Sequence, residues 1–223
     1  MSIISTRRGM AEQLERQHVR NVYDDIAGHF SATRYKAWPV VDRFVRDRER
    51  GSVGVDVGCG NGKNMLIRDD LHITGFDLSI ELLRICQAQG FETVQGNMLS
   101  LPFRTESQEF VLCIAALHHL ASEERRRQAV QEMARILTLG AEVLIYVWAL
   151  EQPSSSSLYR HQLQYLSEDQ QDVLVPWKTG DETQLRYYHL FRQGELEMLL
   201  TEAHLHPVYS GYDRDNWYVC ARK

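Results

Sequence analysis

The stretch Val53-Gly54-Val55-Asp56-Val57-Gly58-Cys59-Gly60-Asn61-Gly62 decides the fold. Val53 to Val57 reads as a short strand of the buried type. The glycines behind it let the backbone turn tightly and come within contact distance of a ligand. A short helix is predicted from Lys63, so the loop lies between a strand and a helix N-terminus, where doubly wound folds bind nucleotides. His72 to Phe76 is predicted as a second strand. It ends at Asp77, 21 residues after Asp56, where a carboxylate can accept hydrogen bonds from both hydroxyls of a ribose.

Working outward, the same rhythm continues. Ser79 is placed to cap a helix running to Gln89, and Gly90 to close it. Further strands are predicted over Phe91 to Gln95, Phe110 to Ala115 and Glu142 to Trp148. A helix capped by Ser122, with Glu123 and Glu124 in its first turn, buries Val130, Met133, Ile136 and Leu137 and stops at Gly140. Strands alternating with helices imply parallel βαβ units. Towards the N-terminus, Leu14, His18, Val22, Ile26 and Phe30 recur at spacing four, an amphipathic helical stripe broken at Ser31. A second helix follows Trp38-Pro39 and ends near Gly51. Beyond Leu150, Gln152 to Ser157 reads as a loop, and residues 158–186 as polar and irregular around an apolar island at Val173 to Trp177. A helix over Gly194 to Ala203 precedes two antiparallel strands, His206 to Ser210 and Trp217 to Ala221. The division expected is a helical cap over residues 1–51 and an α/β domain over 52–223, with a loop insert at about 151–190.

The chain has 223 residues, 43% hydrophobic and 25% charged, enough to bury a core without staples. Four cysteines, Cys59, Cys86, Cys113 and Cys220, are scattered, which argues against a zinc finger or disulfide framework and suits a reducing compartment. No apolar run reaches the roughly 18 residues of a membrane helix, and Met1 to Met10 has no apolar segment of the secretory type. Net charge is −5, against a generally basic nucleic-acid binder; residues 1–50 nevertheless carry 10 Lys+Arg against 7 Asp+Glu, a basic arm beside an acidic body.

A P-loop would need Gly at 57 and Ser or Thr at 64, where the chain has Val57 and Asn64. A dinucleotide fingerprint would need a third Gly at 63, where it has Lys63. The observed G-x-G-x-G, with Asp56 two residues before it, resembles motif I of class I S-adenosylmethionine-dependent methyltransferases. That resemblance implies a Rossmann-like seven-stranded sheet of order 3-2-1-4-5-7-6. It also implies a cofactor site at Tyr23, Asp56, Gly58, Cys59, Gly60, Asp77, Asn97, Met98, Ala115 and Leu117, with S-adenosylhomocysteine as product and no metal in the chain. Asn97 stands where the class usually has an acid; its side-chain oxygen can still accept a bond from an adenine amino group. After the fourth strand, Ala115 to Leu120 lacks the D/N-P-P-Y/F of amino-methylating enzymes. Cys113, inside an apolar strand, reads as core rather than as a nucleophile. Oxygen or a metabolite carbon remains as acceptor.

Segments outside motif I carry a closer likeness. Residues 23–39 (YDDIAGHFSATRYKAWP), 55–63 (VDVGCGNGK), His118-His119 with 124–126 (ERR), 145–152 (IYVWALEQ), 171–177 (QDVLVPW), 186–196 (RYYHLFRQGEL) and 212–217 (YDRDNW) together resemble the eukaryotic tRNA carboxymethyluridine methyltransferases. These act alone or as the methyltransferase domain of an AlkB-type hydroxylase. The chain departs at Leu139-Gly140-Ala141, at Ala37 and in a short insert between Gln152 and Gln171. The resemblance implies conversion of 5-carboxymethyluridine at the tRNA wobble position to its methyl ester. Arg34 would meet the carboxylate or an adjacent phosphate, and His118 would hydrogen-bond the substrate rather than act as a base. Trp148 would wall the pocket, with Arg186, Tyr187, His189, Arg214 and Asn216 on its second side. Expected partners are the tRNA anticodon stem-loop and a small zinc-containing methyltransferase activator protein. The activator would form a heterodimer along the strand at 91–95 and the segment from Met98 to Phe110. No membrane is expected, and the compartment is the cytoplasm, with the nucleus as a second location. Two other classes stay open on the residues alone: a methyltransferase of a small metabolite, and a non-catalytic scaffold.

Overall fold

A computed structural model describes residues 3–34, 36–152 and 163–223. Its centre is β1 (Val53–Val57), flanked by β2 (His72–Asp77), β3 (Thr93–Gln95), β4 (Gln108–Ile114) and β5 (Leu137–Trp148), all parallel. The sheet is completed by β9 (His206–Asp213) and β10 (Asn216–Arg222), and β10 runs antiparallel to β5. The order is β3-β2-β1-β4-β5-β10-β9, which is the 3-2-1-4-5-7-6 arrangement expected. Arg214 and Asp215, both at positive φ (49° and 63°), make the tight turn between the last two strands, a geometry matched to strand twist.

Side-chain alternation assigns the two faces of the sheet. Phe110, Leu112 and Ile114 of β4 pack with Leu144 and Tyr146 against Val41, Phe44 and Val45 of α3 (Pro39–Arg46). Val111 and Cys113, one residue out of phase, pack with Val143, Ile145 and Val147 against α5 (Glu123–Ile136) and α6 (Glu195–Glu202). Ser79 caps α4 (Ile80–Ala88) and Ser122 caps α5, each hydroxyl accepting a backbone N–H three residues on. Burial pushes the Cys113 thiol up to about 12, so it is core and inert. The helix read as far as Gly140 ends at Ile136. Leu137 already belongs to β5, whose first residues pair out of register with β4.

Two parts lie over the carboxyl ends of the parallel strands. One is α1 (Ile3–Glu15), a π turn over Arg16–Arg20 and α2 (Asn21–Ala32), a continuous helical rod. The other corrects the expectation of an irregular segment over 158–186. Among its described residues, β6 (Gln164–Tyr165), β7 (Asp172–Thr179) and β8 (Glu182–His189) form a second antiparallel sheet. The turn Gly180-Asp181, with Gly180 at φ 60°, and the alternation Val173, Val175, Trp177 are hairpin signals diluted by the polar residues between them. The loop expected at 152–157 lies outside the described residues apart from Gln152. Hydrogen bonds from Phe191 to Trp148 and from Leu150 to Phe191 tie the second sheet to the end of β5.

Candidate active site

The rod, the glycine loop and the β7–β8 hairpin enclose a cavity of about 540 Å³ over the carboxyl end of the sheet. Such sheets bind ligands at this switch point. Four contacts fix the rod there. Glu15, buried, takes two bonds from Arg125 at 2.7 and 2.5 Å. His18 donates to the Leu185 carbonyl of β8 at 2.9 Å, and Ser79 donates to Asp24 at 2.6 Å. Asn61 of the glycine loop donates to the Ser31 hydroxyl of the rod at 3.2 Å and to the Arg34 carbonyl just beyond it at 2.8 Å.

One end of the cavity is built from the first two strands. Gly58 stands at φ 75°, and a Cβ there would lie 2.3 Å from the Cβ of Ala116, so only glycine lets the loop close onto the end of β4. Ala115, itself at φ 57°, turns the chain under the cavity. The Asp77 carboxylate accepts Gly60 N–H on one oxygen and Ser79 N–H on the other, both at 2.9 Å, and each oxygen retains a lone pair. Burial raises its pKa against those two bonds. Beneath the loop, Asp56 is fully buried and its carboxyl is pushed up to about 6 by desolvation. It accepts one bond from Asn64, and Asp56 Oδ1 and Asn64 Oδ1 have no partner. A diol acceptor at Asp77 and a close backbone approach at Gly58 and Gly60 fit S-adenosylmethionine, with Cys59, Asn97, Met98 and Ala115 along the wall.

The opposite end is aromatic and cationic. His118 is buried, and its Nδ1 accepts the Trp148 backbone N–H at 3.1 Å. The proton of the neutral ring therefore sits on Nε2, which has no partner. Burial, then His119, holds its pKa well below the ordinary value. His119 carries the opposite tautomer, donating from Nδ1 to the Tyr187 carbonyl at 2.7 Å and accepting Tyr23 O–H on Nε2 at 3.0 Å. Desolvation lowers it to about 3. Tyr188 stacks on His118 at 4.6 Å and packs on Trp148 at 4.5 Å. The Arg186 guanidinium lies over Trp177 at 4.6 Å and over Tyr188 at 5.2 Å. It is 5% exposed and donates to Tyr23 Oη at 3.4 Å; among the described residues its Nε has no partner. A buried guanidinium without a carboxylate is costly, and two orphan donors in one cavity call for an acceptor from outside the chain.

Of the residues expected at the site, Tyr23, Arg34, Gly58, Cys59, Gly60, Asp77, Asn97, Met98, Ala115, His118, Trp148 and Arg186 line this cavity. Asp56 lies under the loop instead. Leu117 is fully buried in the core behind α5. Tyr187 and His189 are not in the wall. Tyr187 donates to Asp172, and His189 bonds Asp172 at 2.9 Å and Glu195 at 2.8 Å, a network that ties the second sheet to α6. They occupy the face of β8 opposite to Arg186 and Tyr188, because side chains alternate along a strand. Asn216 donates to the carbonyls of Asp213 and Arg214 and holds the tight turn; Arg214 is exposed there and outside the wall.

A methyltransferase-domain profile matches residues 55–145. The chain is 42% identical to a curated tRNA (carboxymethyluridine(34)-5-O)-methyltransferase of Schizosaccharomyces pombe, over 96% of this chain and 100% of that protein. The Saccharomyces cerevisiae enzyme of the same name is 31% identical over 96% and 98% of the two chains. The chain belongs to this methyltransferase family. The shared fold extends to a SAM-dependent methyltransferase from Methanosarcina mazei, with TM-score 0.70 and 20% identity over 84% of this chain and 98% of that one. It extends also to the methyltransferase seen in complex with the Trm112 methyltransferase activator of Haloferax volcanii, with TM-score 0.69 and 16% identity over 92% and 96%.

In this methyltransferase the wall contains residues that sequence reading did not single out for the site. Phe30, Trp38, Lys63, Trp177 and Tyr188 all face the cavity. Phe30 was legible only as the last member of a helical stripe. Trp177 and Tyr188 become pocket residues only once β7 and β8 are paired, with Val173 opposite Tyr188 and Val175 opposite Arg186.

Proposed function

We propose that the chain methylates the carboxylate of 5-carboxymethyluridine at the wobble position of tRNA, forming the methyl ester. The observation that carries this reading is the pair of buried donors without partners, His118 Nε2 and Arg186 Nε, in a cavity whose other end fits the methyl donor. S-adenosylmethionine, when bound, supplies a sulfonium methyl that a carboxylate oxygen takes in line, leaving the thioether. The residues facing the acceptor have only to bind and orient. A carboxylate of ordinary pKa, near 4, is already ionised at neutral pH, so no base is required. His118, with its proton on Nε2, is arranged to donate rather than accept. Arg186 offers charge and a planar fork to a carboxylate, and its fixed position over two aromatic rings limits reorganisation on binding. Trp148, Tyr188 and Trp177 provide aromatic faces for the base. The acidic body does not oppose an anionic substrate, because the cavity presents Arg34, Lys63, Lys178 and Arg186 against Glu15 and Asp77, and Glu15 is already paired with Arg125.

The test is incubation of the protein and S-adenosylmethionine with tRNA carrying 5-carboxymethyluridine, followed by mass spectrometry of the nucleosides. An alkali-labile methyl ester at the wobble uridine is expected. A methyl group elsewhere, or none, refutes the reading.

The same reading includes a partner. β3 closes one edge of the large sheet, and no described strand pairs with its outer side. An edge of this kind offers free backbone groups to another chain. The relative from Haloferax volcanii is found with an activator, and we take a small zinc-containing activator, docked along β3 and residues 98–110, as this chain's partner too. A soluble monomer of full activity, unchanged by added activator, would overturn that. Four buried free thiols suit work in the reducing cytoplasm or nucleus.

A further inference from the structure

Lys63 leaves the glycine loop and projects along the cavity wall, half-buried. Its ammonium lies 5.1 Å from the centre of the Trp38 ring, and Trp38 is itself packed on Tyr146 at 5.0 Å. Among the described residues, Lys63 has no ion pair and no hydrogen bond. Burial, then the charge of Arg34, lowers its pKa; Arg214 acts in the same sense and the buried Asp56 against it. The Arg34 guanidinium, exposed at the mouth, donates to Thr33 and lies over Phe30 and Trp177 at 5.6 and 5.5 Å. Lys178 lines the same mouth. Among the described residues none of these three cations is paired with a carboxylate, and all three line the same cavity, an arrangement suited to an anion from outside the chain.

We propose that Lys63, flanked by Arg34 and Lys178, forms a phosphate-binding rim, separate from Arg186, that seats a phosphodiester of the RNA beside the modified nucleotide. This rests on the reading of the substrate as tRNA. Depth separates the two anion sites. Arg186 is buried and stacked, suited to a small carboxylate carried inward on the base. A phosphodiester stays with the polymer, whose two strands must leave by the mouth. Lysine, a point charge on a flexible stem, suits a phosphate.

The experiment compares the parent chain with Lys63→Met, which keeps an unbranched stem against Trp38, and Lys63→Arg, which keeps the charge. Binding of an anticodon stem-loop RNA containing 5-carboxymethyluridine is followed by fluorescence anisotropy across a salt series, with S-adenosylhomocysteine saturating. For Lys63→Met the slope of log K against log salt should fall by about one. KM for the RNA should rise about tenfold, the loss of one charge-assisted contact, with kcat near that of the parent. Calorimetric affinity for S-adenosylhomocysteine should not change, and Lys63→Arg should restore both RNA values. A parental slope and KM in Lys63→Met overturns the rim while leaving the substrate reading intact. Weakened S-adenosylhomocysteine binding with unchanged RNA binding also overturns it, assigning Lys63 to the cofactor's own carboxylate. A parent chain that neither binds nor methylates the RNA overturns the substrate reading, and the rim with it.

Discussion

The two ends of the cavity are built on different principles. The cofactor end uses backbone: a glycine loop, the N–H groups of Gly60 and Ser79 locked onto Asp77, and a single van der Waals contact that admits no side chain at Gly58. The acceptor end uses side chains contributed by the helical rod, the turn after β4, the end of β5 and an added hairpin, and it leaves two of its donors unused. The first end is a property of one short segment. The second exists only where four separate segments meet. Damage to the first should therefore be steric and complete, and damage to the second chemical and graded.

The largest effect is expected from Gly58→Val. The new side chain overlaps Ala116 and occupies a left-handed backbone position, so calorimetry should detect no cofactor binding, with a lowered Tm. Parental affinity in this variant would mean that the loop does not close on β4 as described. Arg186→Met should come next. Removing a buried charge whose partner is the substrate costs about 2–5 kcal/mol, so kcat/KM on carboxymethyluridine tRNA should fall by roughly one and a half to three and a half orders of magnitude. Cofactor affinity should stay near parental, and a parallel loss there would erase the distinction between the ends.

A third prediction separates the ends by pH. Asp56 has a folded-state pKa of about 6 against about 3.9 when unfolded. The unfolded chain thus holds fewer protons between these values, and stability from this group, present below pH 4, is lost as pH rises through 6. Asp56→Asn keeps an acceptor for Asn64 and removes that loss. Measured without cofactor by denaturant titration, its stability relative to the parent should improve by about 3 kcal/mol, at most, between pH 4 and pH 8. A pH-independent difference would show that the carboxyl is not buried as an acid. The smallest effect is expected from His118→Ala, about tenfold in kcat, the loss of one hydrogen bond to the substrate. The parent's kcat should be flat from neutrality upward, since His118 is neutral throughout and its Nε2 already carries the proton. A parental profile with a limb near pH 6.5 that vanishes in His118→Ala would make His118 a base.

What could be read from residues alone follows the same division. The cofactor loop, Asp77 and the strand order come from contiguous signals, in which each glycine and each apolar run reports on its own backbone. Arg186 stood among the candidates, but Tyr187 and His189 stood beside it with equal weight. Nothing in a run of polar and aromatic residues says which alternate side chains face inward until β8 has a partner and a register. The mixture of polar residues in 158–186 hid the strands themselves, because their alternation is interrupted and their buried face is a small second core rather than the main one.

The sequence by itself determined the parallel sheet, the glycine loop with its acid on the second strand, and the membership in a methyltransferase family, because these depend on local backbone requirements and on contiguous motifs. Only the tertiary structure decided the tautomers of His118 and His119, the isolation of the Arg186 charge and the convergence of Arg34, Lys63 and Lys178 at one mouth. Those properties belong to pairs of residues far apart in the chain, and burial, hydrogen-bond direction and electrostatic neighbourhood have no value until the fold brings the pairs together.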